Sequence, residues 1–183
     1  LSRSSVIPNG AEGMDIRGNS NQVSGNWVSG NTGSGLYIRG ASANRICANH
    51  IGVNGSDDQQ LANGNYGIHL LDGASGNIIG DPSVNCASNL VSDDEDHIRI
   101  GGTQTTGNIV KANLIGTNEN GDDLGGETGL FVRDATSNII GSIAGGNVIA
   151  NMNNRAILIS DNSGQALGND LRGNIYLDNA VQG

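Results

Sequence analysis

The clearest candidates for chemistry are polar and aromatic residues that recur in short segments where apolar and polar residues alternate. Four of the nine basic residues of the chain fall at the outward positions of these segments, together with two of its four Tyr and Phe residues and one of its three histidines. Arginine binds carboxylate and sulfate groups through two parallel hydrogen bonds, and aromatic rings can stack on sugar faces. We therefore expect a binding face for an anionic polysaccharide, formed by Arg17, Tyr37, Arg39, His69, Arg99, Phe131 and Arg133. The alternative is a solvated face whose arginines pair with nearby carboxylates such as Asp15, Asp72 and Asp134.

His69 is the candidate for a catalytic base. When the alternating segments are aligned, it lies between Arg39 and Arg99, so a base would be flanked by two cations. A polyuronate lyase needs a cation to neutralise the uronate carboxylate and a base to remove the C5 proton. A single histidine in a periodic row has no spacing signature of its own, so a row without catalysis is the simpler interpretation.

The acidic stretch "SDDEDHIRI" at 92–100 suggests a second enzymatic chemistry. It offers the carboxylates of Asp93, Asp94 and Asp96, and a glycoside hydrolase needs two carboxylates about 5 to 10 Å apart. All three fall within one turn, however, and Asp93 occupies the place that Asn151 has in the related repeat. A surface loop is therefore the simpler interpretation.

Oxygen-rich loops offer one candidate metal site. Three stretches are rich in Asn, Asp and Glu or Gln, at 54–60, 93–96 and 118–123. The last of them brings together oxygen donors of the kind that Ca²⁺ prefers, on Asn118, Asn120, Asp122 and Asp123. It lacks the twelve-residue EF-hand pattern and its terminal bidentate Glu. A solvated acidic loop is therefore the simpler interpretation, and we expect no cofactor, with Ca²⁺ as the alternative.

The sequence does not decide whether the two cysteines form a disulfide. Cys47 aligns with Gly80, six residues before Cys86, so the cysteines belong to neighbouring repeats but to different positions in them. A disulfide would require the segment 81–88 to fold back, and the sequence alone allows either outcome. With only two cysteines, the redox compartment is not indicated.

These residues are positioned by a repeat. Six alternating segments begin at intervals of 22 to 32 residues, at Met14, Leu36, Ile68, Ile98, Leu130 and Ile157. Each is followed by two shorter segments of the form N-x-aliphatic, and no helix-length apolar stripe lies between them. Period-two alternation is typical of strands, and repeats that cannot bury an apolar face alone stack into a solenoid. The pattern predicts an all-β parallel β-helix of about six coils with three short strands each.

The asparagines of the shorter segments are expected to be structural. Each shares its parity with the following aliphatic residue, so both should face the interior, whereas Trp27, Arg45, His50 and Ile78 should face outward. Asn tolerates the left-handed backbone of tight corners and bonds nearby main chain. Stacked Asn side chains form ladders in in-register β structure. We therefore expect inward Asn ladders at the corners of the coils.

Composition and charge exclude two classes of partner. The chain has 183 residues and a net charge of −9, which speaks against a nucleic-acid partner. No run of 18 apolar residues occurs, so no membrane span is expected. The opening stretch "LSRSSVIPNG" has neither a basic n-region nor an apolar h-region. We therefore expect a mature chain or a fragment without a signal peptide.

The repeat resembles a known family. The pattern G-A-S-x-N-x-I-x-G-N, followed by I-G-T-N and G-I-x-I, is similar to the right-handed, single-stranded parallel β-helix repeats of the pectin-lyase-like superfamily, over residues 10–180. The resemblance implies a right-handed coil, and it implies that the sheet of alternating segments is where enzymes of the superfamily bind substrate. It does not imply one activity, because the superfamily includes lyases, hydrolases, epimerases, tailspikes, adhesins and non-catalytic surface modules.

Together, residues and resemblance predict a single β-helix domain over 1–183, part of a longer protein or assembly. We expect a non-catalytic module located outside the cell or at its surface, serving as a spacer, an adhesin or a binder of anionic polysaccharide. Open ends could stack end to end on neighbouring domains or copies. The alternative is a carbohydrate-active enzyme or a fragment of one, either a polyuronate lyase using His69 or, less favoured, a glycoside hydrolase.

Overall fold

The chain folds as a parallel β-solenoid in a computed structural model, which describes residues 8–81, 86–93, 95–164 and 166–180. Within these ranges there is no helix, and strands recur in the same order through six stacked coils. Every pairing between these strands is parallel, and each coil contributes one strand to each of three sheets. The predicted fold, a β-helix of about six coils with three short strands each, is confirmed.

The strands are two to six residues long. Sheet 1 contains β1 (Met14–Ile16), β4 (Leu36–Arg39), β7 (Tyr66–Leu71), β10 (Asp96–Gly101), β13 (Thr128–Arg133) and β16 (Arg155–Ser160). Sheet 2 contains β2 (Gln22–Ser24), β5 (Arg45–Cys47), β8 (Ile78–Ile79), β11 (Ile109–Val110), β14 (Ile139–Ile140) and β17 (Asp170–Leu171). Sheet 3 contains β3 (Trp27–Val28), β6 (His50–Ile51), β9 (Leu90–Val91), β12 (Leu114–Ile115), β15 (Val148–Ala150) and β18 (Ile175–Leu177). No described segment forms a helix long and apolar enough to cross a membrane.

The register of sheet 1 is the one that the alignment of the segments predicts. Tyr37 pairs with His69, His69 with Arg99, and Arg99 with Phe131. The alternate residues point inward, and in the four central coils both inward aliphatic side chains of this sheet are fully buried. A solenoid core of this kind is continuous from coil to coil, and it fixes each outward residue directly above its equivalent in the previous coil.

The predicted Asn ladders occupy two corners. In the rung from Asn44 to Asn77, the backbone N–H and the side-chain Nδ2 of Asn44 both donate to Oδ1 of Asn77 in the next coil, each at 3.0 Å. Nδ2 of Asn77 also donates to the carbonyl of Ala41 at 2.9 Å. These bonds stabilise a buried amide that would otherwise be costly. One ladder contains Asn21, Asn44, Asn77, Asn108, Asn138 and Asn169, and the other Asn26, Asn49, Asn89, Asn113, Asn147 and Asn174.

A third, shorter ladder occupies the remaining corner and ends in a carboxylate. Asn9 donates to Asn31, Asn31 to Asn63, and Asn63 to Asp93. Asp93 is fully buried. The interpretation of Asp93 as part of a surface loop is therefore replaced by a structural role, because its carboxylate takes the place of the next Asn rung.

Cys47 and Cys86 form a disulfide. Cys47 ends β5, Cys86 precedes β9, and their Cα atoms are 5.3 Å apart. Both side chains are buried. The bond ties the corner after sheet 2 to the chain that enters the next strand of sheet 3, which resolves the pairing that the sequence leaves open.

Candidate functional site

The outer face of sheet 1 brings aromatic rings and guanidinium groups into one cluster of packed planar groups. The rings of Tyr37 and His69 lie parallel, with centroids 4.8 Å apart and an interplanar angle of 4°. The guanidinium of Arg39 lies 3.9 Å above the Tyr37 ring, and that of Arg99 lies 4.5 Å from the centroid of Phe131. We call this surface the sheet 1 strip; it consists of Tyr37, Arg39, Tyr66, His69, Arg99 and Phe131.

Tyr66 belongs to the strip although sequence reasoning missed it. Its ring meets the edge of the His69 ring at a centroid distance of 4.8 Å, and Arg99 lies 5.0 Å from its centroid. The sequence pattern begins this alternating segment at Ile68, two residues after Tyr66. Strand β7 extends back to Tyr66 because this residue pairs with Asp96 of β10, and the alternation alone gives no signal of that extra length.

The stack follows from the repeat. Coils are separated by about 4.8 Å, which is close to the spacing at which flat π systems and guanidinium planes pack in contact. Because the register places Tyr37, His69 and Arg99 in one column, Tyr37 stacks on His69, and Arg99 packs on Phe131 of the next coil. The strip is thereby positioned by strand pairing.

Each arginine of the predicted binding face has a carboxylate partner. Arg17 and Arg39 share Asp15, at 2.8 and 3.1 Å, and Arg39 also lies 3.8 Å from Glu12. The remaining pairs are Arg99 with Asp96 at 2.7 Å and Arg133 with Asp134 at 3.8 Å. The alternative of carboxylate-paired arginines is thus present in the structure, although no ion pair to Asp72 is found in the described ranges.

These carboxylates have shifted pKa values. The hydrogen bond from Arg17 lowers the pKa of Asp15, and the backbone N–H of Asn162 lowers that of Asp134. Asp96 differs, because burial raises its pKa more than the hydrogen bond from Arg99 lowers it. The four guanidinium charges of the face are therefore largely balanced by carboxylates, and the face is not a strongly cationic patch.

His69 lies in the middle of the strip, where it is poorly placed to act as a base. Burial, followed by the charges of Arg99 and Arg39, lowers its pKa to about 4. Its Nε2 atom is buried and makes no hydrogen bond. A histidine of this pKa is neutral at pH 7 but is a weak proton acceptor, and an enclosed Nε2 cannot reach a substrate without movement of the stack.

The carboxylates of the acidic stretch do not form an open catalytic pair. Asp93 is enclosed in the third ladder, and Asp96 is buried against Arg99. His97 is also fully buried, and burial lowers its pKa to about 4 despite an opposing effect of the Gly125 backbone. Asp94 lies outside the described residues. The described carboxylates Asp93 and Asp96 and the ring of His97 are therefore buried, whereas Arg99 of the same stretch lies on the outer face of sheet 1.

Several oxygen atoms of the 118–123 loop accept hydrogen bonds from the loop itself or from the chain just after it. Oδ1 of Asn118 accepts hydrogen bonds from the backbone N–H of Asn120 and of Asp122, each at 3.0 Å, and its Nδ2 donates to Oδ2 of Asp122 at 2.7 Å. Oδ1 of Asp123 accepts from the N–H of Gly125 at 2.9 Å. No group of three or more His, Cys, Asp or Glu side chains suited to a metal ion occurs in the part of the chain that the structure describes. The arrangement is that of a self-supporting loop.

Comparison with known proteins adds no identity to this geometry. A scan against protein-family models matches none, and searches of the curated proteins and of the solved structures return no significant match.

Proposed function

We propose that this chain is a non-catalytic β-solenoid module that binds an extended acidic polysaccharide along the sheet 1 strip. The observation that carries the proposal is the row of planar groups on adjacent coils, in which Tyr37 stacks on His69 and Arg99 packs against Tyr66 and Phe131. An extended polysaccharide has a repeating apolar face and repeating acceptors, and the strip presents repeating planar surfaces on a rigid scaffold.

The carboxylate partners of the arginines are compatible with this proposal. A guanidinium carries five N–H donors, and Asp96 takes a hydrogen bond from one of them in Arg99. Asp15 likewise accepts a hydrogen bond from one donor of Arg39, its Nε–H. The remaining N–H donors of the arginines can bind the carboxylates and hydroxyls of a glycan. The protein carboxylates beside them disfavour an anion that makes no other contact with the strip. Stacking on the rings then contributes much of the affinity, and salt weakens binding only in part.

Catalysis by the strip receives no support from its geometry. A lyase would require His69 to reach the C5 proton of a uronate, whereas its ring is packed against Tyr37 and Tyr66 and its Nε2 is enclosed. A base whose pKa is about 4 would also leave a large barrier to proton abstraction at neutral pH.

Location outside the cell and membership of the pectin-lyase-like superfamily are further parts of the proposal. A buried disulfide between Cys47 and Cys86 supports an oxidising compartment. Three parallel sheets with inward Asn ladders support the superfamily, including its right-handed coil.

End-to-end stacking is supported by the edge of the last coil. Ile159, Leu171 and Tyr176 occupy inward positions of β16, β17 and β18, yet between 37% and 49% of their surface is exposed. Another parallel β-coil would cover these side chains and pair with the strands beneath them.

The test is binding to polygalacturonate, alginate and glycosaminoglycans, measured by isothermal titration calorimetry, with new unsaturated ends followed by absorbance. We expect binding without turnover, weakened about tenfold or more by Arg39→Ala and by Tyr37→Ala. Arg172→Ala is the matched control, because Arg172 pairs with Asp170 at 3.2 Å on sheet 2 and is not part of the strip. Turnover that His69→Ala abolishes would replace the proposal with a lyase, and absence of binding would leave a structural role only.

A further inference from the structure

The molecule carries a second candidate ligand site, away from the sheet 1 strip, where two long loops meet. These insertion loops follow sheet 3 at 52–65, after β6, and at 116–127, after β12. Both loops are built in the same way. Oδ1 of Asn54 accepts hydrogen bonds from the backbone N–H of Ser56 and of Asp58, and its Nδ2 donates to Oδ1 of Asp58 at 2.7 Å. Asn118 makes the equivalent three bonds within its own loop. One turn, with an Asn at its start and an Asp four residues later, therefore occurs twice.

The two loops also begin in the same way and touch each other. Gly52 and Gly116 precede them with φ of 71° and 70°, a conformation that turns the chain away from the coil and that glycine adopts without strain. Nδ2 of Asn118 donates to the carbonyl oxygen of Asp57 at 2.7 Å, which joins the second loop to the first.

The loops are anchored on the outer face of sheet 3. Val53, Leu90 and Leu124 form a buried apolar cluster there, with Leu114 packed against it, separate from the core inside the coils. Because Leu90 and Leu114 are outward residues of neighbouring coils in one column, they provide an aliphatic floor. The contacts of the loops with this floor hold both of them in place over the sheet.

A cleft of about 400 Å³ remains between the loops. This volume lies in the range of small-molecule sites. Its floor is formed by Leu90, Leu114 and the corner residue Ala87. Its polar walls come from both loops and from β6, through His50, Ser56, Asp57, Asn118, Glu119 and Asn120.

The walls are rich in hydrogen-bond acceptors, and one of them is held by an aromatic stack. Nδ1 of His50 lies 2.9 Å from Oδ1 of Asp57, and the His50 ring is stacked on the indole of Trp27 with centroids 4.1 Å apart. The contact with His50 and the stack beneath it hold the Asp57 carboxylate in place at the wall of the cleft.

The charge of the cleft restricts what it can bind. The walls contain the carboxylates of Asp57 and Glu119, and neither Lys nor Arg is among the residues that line the cleft in the described part of the chain. An anion would be repelled by these two carboxylates, whose charge no lining Lys or Arg offsets among the described residues. Carboxylates and amide oxygens accept hydrogen bonds from hydroxyl groups, while an aliphatic floor packs against C–H groups.

We propose that this cleft binds an uncharged sugar residue, with its hydroxyls donating to Asp57, Glu119 and Asn120 and one ring face resting on Leu90 and Leu114. The site is independent of the sheet 1 strip, which lies on another sheet and is proposed to take an acidic glycan. Failure of one proposal therefore leaves the other untouched.

The experiment uses the only tryptophan of the chain as a reporter. Because Trp27 is stacked on His50, occupancy of the cleft should change its fluorescence. A panel of neutral hexoses, N-acetylhexosamines and their short oligomers is titrated into the protein, beside glucuronate, ethanolamine and CaCl₂, with calorimetry as a second readout. We expect saturable binding of at least one neutral saccharide and no binding of glucuronate.

Variants locate the binding. Ala87→Phe should fill the floor, and Asp57→Asn should remove an acceptor while tolerating the positive φ of this position; each should weaken binding about tenfold or more. The matched controls, Ala144→Phe and Glu127→Gln, change exposed residues outside the cleft, and they should bind as the unaltered protein does, as should Arg39→Ala. The proposal is overturned if no neutral saccharide binds, if binding survives Ala87→Phe, or if only the amine or Ca²⁺ binds.

Discussion

Asn63 donates both its backbone N–H and its side-chain Nδ2 to one carboxylate oxygen of Asp93, at 3.2 and 3.0 Å. Both residues are almost completely buried. An Asp that sequence reasoning considers for catalysis is therefore an acceptor for two donors of the coil beneath it. Its carboxylate is a structural part of the solenoid, so its removal should lower the free energy of unfolding.

Asp93→Ala should lower the free energy of unfolding by about 2–4 kcal/mol, because it leaves two buried donors of Asn63 without an acceptor. Urea unfolding monitored by circular dichroism measures the change. Glu127→Ala, at an exposed position, serves as control and should change the value by less than about 0.5 kcal/mol. A loss at Asp93 no larger than that of the control would contradict the structural role.

The Asn ladders predict that replacing an Asn by Ala costs more stability in a central coil than in the last coil. Asn108 accepts two hydrogen bonds from Asn77 and donates two to Asn138, whereas Asn169, in the last coil, accepts two from Asn138 and is only half-buried. Asn108→Ala should therefore cost about 2–4 kcal/mol, and Asn169→Ala less than half as much. Equal losses, measured by the same urea unfolding, would show that the ladder does not gain from being enclosed on both sides.

Stability should fall as the pH is lowered from 6.5 to 4. The pKa values of His69 and His97 are both lowered from 6.5 to about 4, so between these pH values the unfolded chain binds protons that the folded chain does not. The free energy of unfolding decreases through this window and levels off for these groups below it. For the fully buried His97, the shift corresponds to roughly 3 kcal/mol. Burial of Asp96, which raises its pKa, opposes part of the loss at the acid end.

His97→Leu isolates the contribution of His97 to this pH dependence. Leucine fills a similar buried volume and cannot titrate, so the variant should lose less stability between pH 6.5 and 4 than the unaltered protein. The measurement is the urea midpoint at several pH values. An unchanged slope would mean that His97 is not buried in the neutral form.

Reduction of the disulfide should destabilise the chain. Cys47 and Cys86 close a loop over a sequence separation of 39 residues, for which the chain-entropy estimate is about 4 kcal/mol. Thermal unfolding with and without dithiothreitol should show a lower midpoint under reducing conditions. The variant with both cysteines changed to Ala should match the reduced protein and should not respond to dithiothreitol; a response from that variant would assign the effect to something other than the disulfide.

Most of the architecture could be predicted from residue types and their parity. Alternation in segments such as 35–40 and 129–135 predicted which side chains face inward, and the column from Tyr37 to Phe131 followed from aligning the segments. This succeeds because coils of a solenoid stack in register, so an equivalent position in the repeat is also a neighbour in space. Recurrent Asn at corners was predictable for the same reason.

The candidate sites were only partly predictable. The repeat placed the arginines on one face, but the pairing of Arg99 with Asp96 and of Arg39 with Asp15 depends on side-chain conformations that a period does not encode. Tyr66 lies just before its alternating segment, and its contact with His69 arises from the extra length of β7. Residue spacing therefore does not decide whether the arginines bind a ligand or only the neighbouring Asp side chains. That depends on side-chain geometry and is tested by the binding experiment.

By itself, the sequence determined the parallel solenoid, its inward core, two Asn ladders and the row of outward rings and arginines, because each follows from a local alternation repeated in register. Only the tertiary structure decided what depends on the path of the irregular segments. It paired Cys47 with Cys86, enclosed Asp93 beneath the third corner, and brought Asn118 of one insertion loop against Asp57 of the other. The physical reason is that strands are placed by backbone pairing common to every coil, whereas loops are placed by contacts of their own side chains.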